Sequence, residues 1–360
     1  MSHHRLSAPE IVDYVIIAIS LSLLLVILPL LIFLCYKIRR HPSSSCATAD
    51  DTSVTALLHA GPLPMSDLEA ATDGFHYSRL IGKGHLGTVY KALTAPETGH
   101  VVAIKRLHPH LVLSHPGPTF SLAMKSLAFV ASHPNIVPVL GYAEAPGERI
   151  IVYEYVHMKT LETFLYGVGA DGGQLMRQLS WPARVKIAAG IARGLDHLHT
   201  STALGTTHGC LKPCNVFIDK DYCARLSDYG LGFLLEDEEG RKGMVGYVDK
   251  EGWEVCKEND VYAFGVILLE MLSGRKSEGG RLVEWALPLI RVSRAEELLD
   301  KRLALTFNEI RVLATMAKVA SACVGNSRGY RLTMAEVVAI LNRLEMEQWD
   351  HPSVPRHGVV

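Results

Sequence analysis

Four stretches of the chain hold residues able to do chemistry together. The first, GKGHLGTV at 82–89, spaces Gly82, Gly84 and Gly87 ahead of Val89. Glycines so spaced let backbone N–H groups come close to nucleotide phosphates, although that pattern alone is weak. The second is VAIK, whose Lys105 lies 18 residues beyond Gly87 and can offer a cation to the same phosphates. The third is HGCLKPCN at 208–215, where Asn215 can ligate magnesium and the positions before it carry Gly209 and Cys210. The fourth is DYG at 228–230, where Asp228 supplies a second hard oxygen for Mg²⁺. Cys210 and Cys214 with His208 make half a metal site; no second ligand pair follows at zinc-finger spacing, and that reading is set aside.

These residues need elements to hold them. RLIGKGHLGTVYKAL reads as strand, glycine turn, strand, and VVAIKRL and RIIVYEYV are further β-branched strands. From about residue 160 the period turns helical, in WPARVKIAAGIARGLDHLH, DVYAFGVILLEMLSG, EIRVLATMAKVASACV and TMAEVVAILNRLEM. SDLE at 66–69 predicts a capping box, with Ser66 at the N-cap, Glu69 at N3 and a short helix to about Thr72. A small β-rich lobe followed by a larger helical one is an α+β arrangement. No repeat of 20–50 residues is visible.

Taken in order with LEAATDGF, LSWPARVKIAAGIARGLDHLH, DVYAFGVILLEMLSGR and RLTMAEVV, the four motifs resemble those of the plant receptor-like kinase family, over about residues 63 to 345. The resemblance implies a bilobal protein-kinase-like fold, with an N-lobe of about 78–157 and a C-lobe of about 158–345. It implies ATP and Mg²⁺ as cofactors. Gly82, Gly84, Gly87, Val89, Ala103 and Lys105 would bind the nucleotide, with an adenine hinge from Glu154 to Val156; Asn215 and Asp228 would hold the metal. It also implies an ion pair between Glu251 and Arg331 and a helix-anchoring Asp260.

The departures from the family pattern bear on function. Kinases carry H-R-D-L-x-x-x-N where this chain has Gly209 and Cys210, so the Asp that accepts the substrate proton is absent. General-base help is worth about 10²–10⁴-fold, and a thiol with a pKa of about 8.5 is neutral at physiological pH unless perturbed. From Arg106 to Tyr142 there is no acidic residue, so the helix that should give Lys105 a Glu has Met124 or Ala123 at that place. Between Asp228 and Glu251 there is no Ser or Thr to phosphorylate, and Met244 stands where relatives keep a Thr. The acidic run EDEEGRK at 236–242 reads as a solvated acidic turn, with a fixed-charge imitation of a phosphorylated state as the alternative.

The chain has 360 residues, 48% hydrophobic, with net charge −1 and 7 cysteines. That balance gives no sign of a nucleic-acid partner, and the scattered, odd cysteine set argues against a disulfide framework. Residues 15–36 form an uncharged apolar run of 22, long enough for a transmembrane helix. Lys37, Arg39 and Arg40 follow it, which predicts a cytosolic C-terminal bulk. The expected organisation is an extracellular N-terminus at 1–14, the membrane helix at 15–36, a juxtamembrane linker at 37–64, the kinase-like domain at 65–345 and a disordered tail at 346–360. Residues 1–14 are too few to fold into a ligand-binding unit. The sequence reads as a single-pass plasma-membrane pseudokinase that keeps ATP binding and acts as scaffold or allosteric partner of active receptor kinases or other membrane signalling proteins. Two alternatives stay open: a weakly active serine/threonine kinase, and a nucleotide-free adaptor.

Overall fold

The computed structural model describes residues 61–93, 100–114, 119–128, 130, 132–167, 178–200, 205–235, 238–325 and 327–349. The expected membrane helix 15–36, the N-terminus 1–14 and most of the linker lie outside them. No helix among the described residues is long and apolar enough to cross a membrane.

The N-lobe is one mixed sheet. β1 (Gly61–Pro62), α1 (Met65–Ala71), β2 (Leu80–Lys83), β3 (Gly87–Leu93), β4 (Val101–Leu107), α2 (Pro109–Ser114), α3 (Thr119–Ala128), β5 (Val139–Ala145) and β6 (Glu148–Glu154) follow in chain order. The strands lie as β1-β5-β6-β4-β3-β2. Alternation sorts their side chains by face. Val102, Ile104, Ile150 and Val152 pack outward beneath Leu68 of α1. Ala103, Lys105, Ile151 and Tyr153 take the other face, because Lys105 pairs with Ile151 and Ala103 with Tyr153. A one-residue slip would put Lys105 outside, so burial of the outer set fixes the lysine in the cleft.

Two local expectations need correcting. Residues 61–64 do not continue as linker: Gly61 and Pro62 pair in parallel with Gly141 and Tyr142, and Leu63 N donates to Tyr142 O at 2.7 Å. Ser66 is not the N-cap of α1. Pro64 takes that place in extended conformation without a side-chain cap, and the Ser66 hydroxyl donates to Asp67 Oδ1 at 3.2 Å inside the helix. The start is set by packing: Met65 and Leu68, one turn apart, both lie on the outer sheet core.

The C-lobe begins with β7 (Lys159–Thr160), α4 (Leu161–Tyr166) and α5 (Trp181–Thr200). β8 (Val216–Ile218) and β9 (Ala224–Leu226) complete a small sheet ordered β7-β8-β9, and α6 (Glu238–Arg241), α7 (Lys257–Ser273), α8 (Arg281–Arg291), α9 (Phe307–Gly325) and α10 (Met334–Trp349) follow. α10 continues to Trp349, so the first residues of the expected disordered tail are helical; 350–360 lie outside the described residues. α7 is buried from Asp260 to Ser273 and ends on Gly274 at φ +66, the left-handed stop that glycine takes without strain. Arg184 of α5 is 2% exposed and meets Asp300 at 2.8 Å. Burial raises the Asp300 carboxyl, but hydrogen bonds from Arg302 and Arg184 outweigh it and hold the group at about 2.

Glu270 lies fully buried within α7 and accepts from Tyr247 Oη at 2.9 Å and from Ser277 N at 2.7 Å. Burial pushes its carboxyl from 4.5 up to about 7. The folded state therefore keeps a proton that the unfolded chain has lost between those values, so this group's stabilisation is complete below 4.5 and is lost as pH rises to about 7. Wild type should lose on the order of 3 kcal/mol through this group across that window. Glu270→Gln should remove the decline, seen as a flatter Tm-against-pH curve; an unchanged slope would show that other groups carry it.

Candidate functional site

The small C-lobe sheet brings the metal-type ligands together. β8 and β9 are antiparallel with Val216 opposite Leu226, so the residue before β8 and those after β9 leave the same end. Asn215 and Asp228 are those residues, and Ser227 N donates to Asn215 O at 3.0 Å. Asp228 sits at φ +60, a left-handed conformation that Asp tolerates better than most residues. Tyr229 beside it is buried, its hydroxyl donating to Val137 O at 3.1 Å.

Asp260 holds the catalytic loop. Its Oδ2 accepts His208 N at 2.6 Å and its Oδ1 accepts Gly209 N at 2.8 Å, while His199 Nε2 lies 2.9 Å from Oδ2. Cys210 N donates to His208 Nδ1 at 3.3 Å, and Asn215 Nδ2 donates to Cys210 O at 2.8 Å. Gly209 is at φ +71, and a Cβ there would meet Gly232 Cα at 2.7 Å. The position is closed to a side chain both by backbone conformation and by space.

Lys105 reaches across the cleft to Asp228, Nζ to Oδ2 at 2.5 Å, with side chains 6% and 13% exposed. Tyr153 Oη donates to Asp228 Oδ1 at 3.4 Å. On α3, Met124 is fully buried, Ala123 half-buried, and the helix holds no carboxylate. Lys105 thus takes its counter-charge from the metal-ligand position. Cys210 is 1% exposed. Burial first, then the neighbouring Asp228 charge, push its thiol well up despite Lys212 and Lys105, so it is neutral and takes no proton from an alcohol.

The glycine turn closes over these groups. Gly84 N donates to Gly87 O at 2.8 Å, and Leu86 is buried. Of the three glycines only Gly87 is sterically required: a Cβ there would lie 2.2 Å from Arg106 O, whereas Gly82 faces open space and Gly84 has only an ordinary contact. Val89 lies opposite Lys105 on the cleft face, and Ala103 is two residues from Lys105 on that same face. At the expected hinge, the Glu154 carboxylate is held by Arg225 at 3.0 and 2.8 Å, and its N–H donates to Pro138 O at 3.2 Å, so its side chain is not available to a base. Val156 packs against the main core.

A cavity of about 40 Å³ lies between Lys105, Cys210, Asn215, Asp228 and Leu86. Asn215 and Asp228 fit magnesium as an oxygen donor set, and Lys105 fits a phosphate. The space does not fit a triphosphate: at about 10–15 Å³ per water it takes a few waters, whereas small-molecule pockets run to about 300–1,000 Å³.

The expected ion pair between Glu251 and Arg331 is not formed. Arg331 Nη2 meets Asp249 Oδ2 at 2.7 Å, and both side chains are buried. Glu251 is 47% exposed and accepts Arg328 N at 3.0 Å. Asp249 is the acid that the turn after Tyr247 points inward, and Arg328 reaches it too, at 3.2 Å. His85, Gly243, Tyr153, Asp249 and Glu270 carry contacts that the motifs did not assign to them, although His85, Tyr153 and Glu270 lie inside stretches recognised for other residues.

Residues 75–341 match the protein tyrosine and serine/threonine kinase family. Receptor-like protein kinase BRI1-like 3 of Arabidopsis thaliana is 36% identical over 81% of this chain, which spans 26% of that protein. Probable serine/threonine-protein kinase PBL22 of the same plant is 34% identical over 76% of this chain and 73% of its own length. The solved pseudokinase domain of BIR2, described as an immune regulator of the RLK/Pelle family, superposes with a TM-score of 0.64 at 30% identity, covering 81% of this chain and 90% of that one. The chain belongs to the protein kinase family, among its plant receptor-like members.

Removing one partner of a buried pair strands the other charge. Lys105→Met should cost about 3 kcal/mol. Lys105→Met combined with Asp228→Asn should cost less than Lys105→Met alone, because Asn suits the left-handed backbone and carries no charge. Thermal unfolding of wild type, both single variants and the double variant checks this; strictly additive losses would refute the coupling.

Proposed function

We propose that this kinase-family member is a pseudokinase: a signalling scaffold that works by contact with active receptor kinases rather than by phosphate transfer. One observation carries the reading. The position from which a base would take the substrate proton holds a buried, neutral thiol, Cys210, directly beside Lys105, Asn215 and Asp228. Two others support it. Gly209 has no room for the missing arginine, and Lys105 is paired with Asp228 instead of a helix carboxylate. The similarity to the BIR2 pseudokinase domain, called an immune regulator, favours a regulatory role over catalysis.

Nucleotide remains part of the reading. When the lobes part, Lys105 faces the phosphates and Asn215 with Asp228 faces Mg²⁺, so ATP acts as a conformational ligand rather than a substrate. The apolar run 15–36 and the basic residues after it support a reading in which the domain lies on the cytosolic side of the plasma membrane. Confinement to one membrane raises effective concentration, so weak contacts with a receptor kinase suffice.

In an assay with radiolabelled ATP and a generic protein substrate, wild type should transfer no more phosphate than Lys105→Ala or Asp228→Ala. Cys210→Asp alone should remain at least 100-fold below an active relative, since it restores the base but neither the arginine at 209 nor the helix carboxylate. Transfer by wild type that both Ala variants abolish would overturn the proposal in favour of a weak kinase.

A further inference from the structure

We propose that the turn Lys242–Met244 is an internal strap that closes the phosphate site, so that ATP binding and release of this turn are mutually exclusive with the closed state. The inference rests on the cleft being a nucleotide site, as read above, and adds what keeps it shut.

The strap is gripped from two sides through the backbone of a single residue, Gly243. Gly243 N donates to His85 Nε2 at 3.3 Å, and His85 stands at the tip of the glycine turn, in the N-lobe. Gly243 O accepts Lys212 Nζ at 3.0 Å, and Lys212 belongs to the catalytic loop, in the C-lobe. The contact therefore joins both walls of the cleft through one residue. It is also tight: a Cβ on Gly243 would lie 2.4 Å from the His85 ring, so only glycine allows the ring to seat.

Apolar burial completes the closure. Met244 and Leu235 are 3% and 1% exposed and line the same cavity as Lys105 and Asp228. Lys212, which lines the same cavity, gives its ammonium to a backbone carbonyl. A triphosphate has to displace the strap, take Lys212 and Lys105 for itself, and lift His85 with the glycine turn. By linkage, whatever loosens the strap strengthens nucleotide binding, and nucleotide exposes the strap. Release also uncovers Met244 and Leu235 beside Val245, which is already 61% exposed.

The two sides of the contact can be removed separately. His85→Ala deletes the acceptor. Gly243→Ala expels the ring from the opposite side, and Gly243 is not in the left-handed region, so alanine suits its backbone. Full-length wild type, both single variants and the double variant would be titrated with a fluorescent ATP analogue and Mg²⁺, and digested with trypsin with and without ATP. Each single variant should bind the analogue about fivefold tighter, the net worth of one hydrogen bond. The double variant should gain little beyond either single one. ATP should speed wild-type cleavage after Arg241 and Lys242. Unchanged or weaker binding in both single variants, a double variant gaining the product of the two effects, or no binding by any of the four proteins overturns the strap. Tighter binding accompanied by new phosphate transfer would support the strap and refute the pseudokinase reading instead.

Discussion

The Asp260 carboxylate is the point from which the cleft is built. It sits in the first turns of a buried helix and takes the two successive amides of His208 and Gly209, so the catalytic loop hangs from α7 by its main chain. The next contacts are also with the main chain: Cys210 N to His208 Nδ1, and Asn215 Nδ2 to Cys210 O. A loop supported in this way needs no side chain at 209, where none fits, and takes its support from the main chain at 210. That is why the arginine and the base can be absent while Asn215 and Asp228 stay where a metal ligand would be needed. Buried amides must find acceptors, whereas a catalytic side chain answers only to chemistry, and the two demands separate here residue by residue.

Charge balance explains the state of the cleft. Lys105 is carried inward by strand alternation and is 5% exposed, so it requires an anion. With no carboxylate on α3, the available anions are Asp228 and the phosphates of a ligand. Pairing with Asp228 draws the N-lobe sheet down on the C-lobe, and Tyr153 adds its hydroxyl to the same carboxylate. Arg225 and Glu154 tie the lobes a second time at the hinge. The narrow cavity follows from these pairings: the cations that would attract a nucleotide are satisfied from within.

Much of this was legible in the sequence, and the rest was hidden for identifiable reasons. The strands around Gly82–Val89 and Lys105 were readable because the outer-face residues alternate with the inner ones, and α7 because its apolar residues run on for more than three turns. Ser66 looked like a cap by spacing alone, but the helix starts where Met65 can reach the sheet, and Pro64 offers no side chain to compete. Glu251 was expected to meet Arg331 by motif position. A shorter acid two residues earlier, Asp249, is turned inward, and no local pattern reports which of two neighbouring carboxylates faces the core. The grip of His85 and Lys212 on Gly243 joins residues far apart in sequence through a backbone amide and carbonyl, groups that every residue possesses. Contacts of that kind leave no compositional trace.

These details bear on how the activation segment is ordered. In switchable kinases a phosphate orders this segment by pairing with arginine, and its removal lets the segment go. Here the segment has no Ser or Thr from Asp228 to Glu251, and the position of the arginine partner is Gly209. Order comes from fixed contacts along its length: Gly243 to His85 and Lys212, Tyr247 to Glu270, Gly246 O to the Ser277 hydroxyl, and Asp249 to Arg331 and Arg328. None of these needs a covalent modification to form. A segment held by permanent partners has lost the switch that covalent phosphate provides, and what can still move it is a competing ligand for those same partners. Lys212 and His85 are the two of them that line the cavity beside Lys105 and Asp228, so under the proposed reading a nucleotide and the segment compete for the same cation.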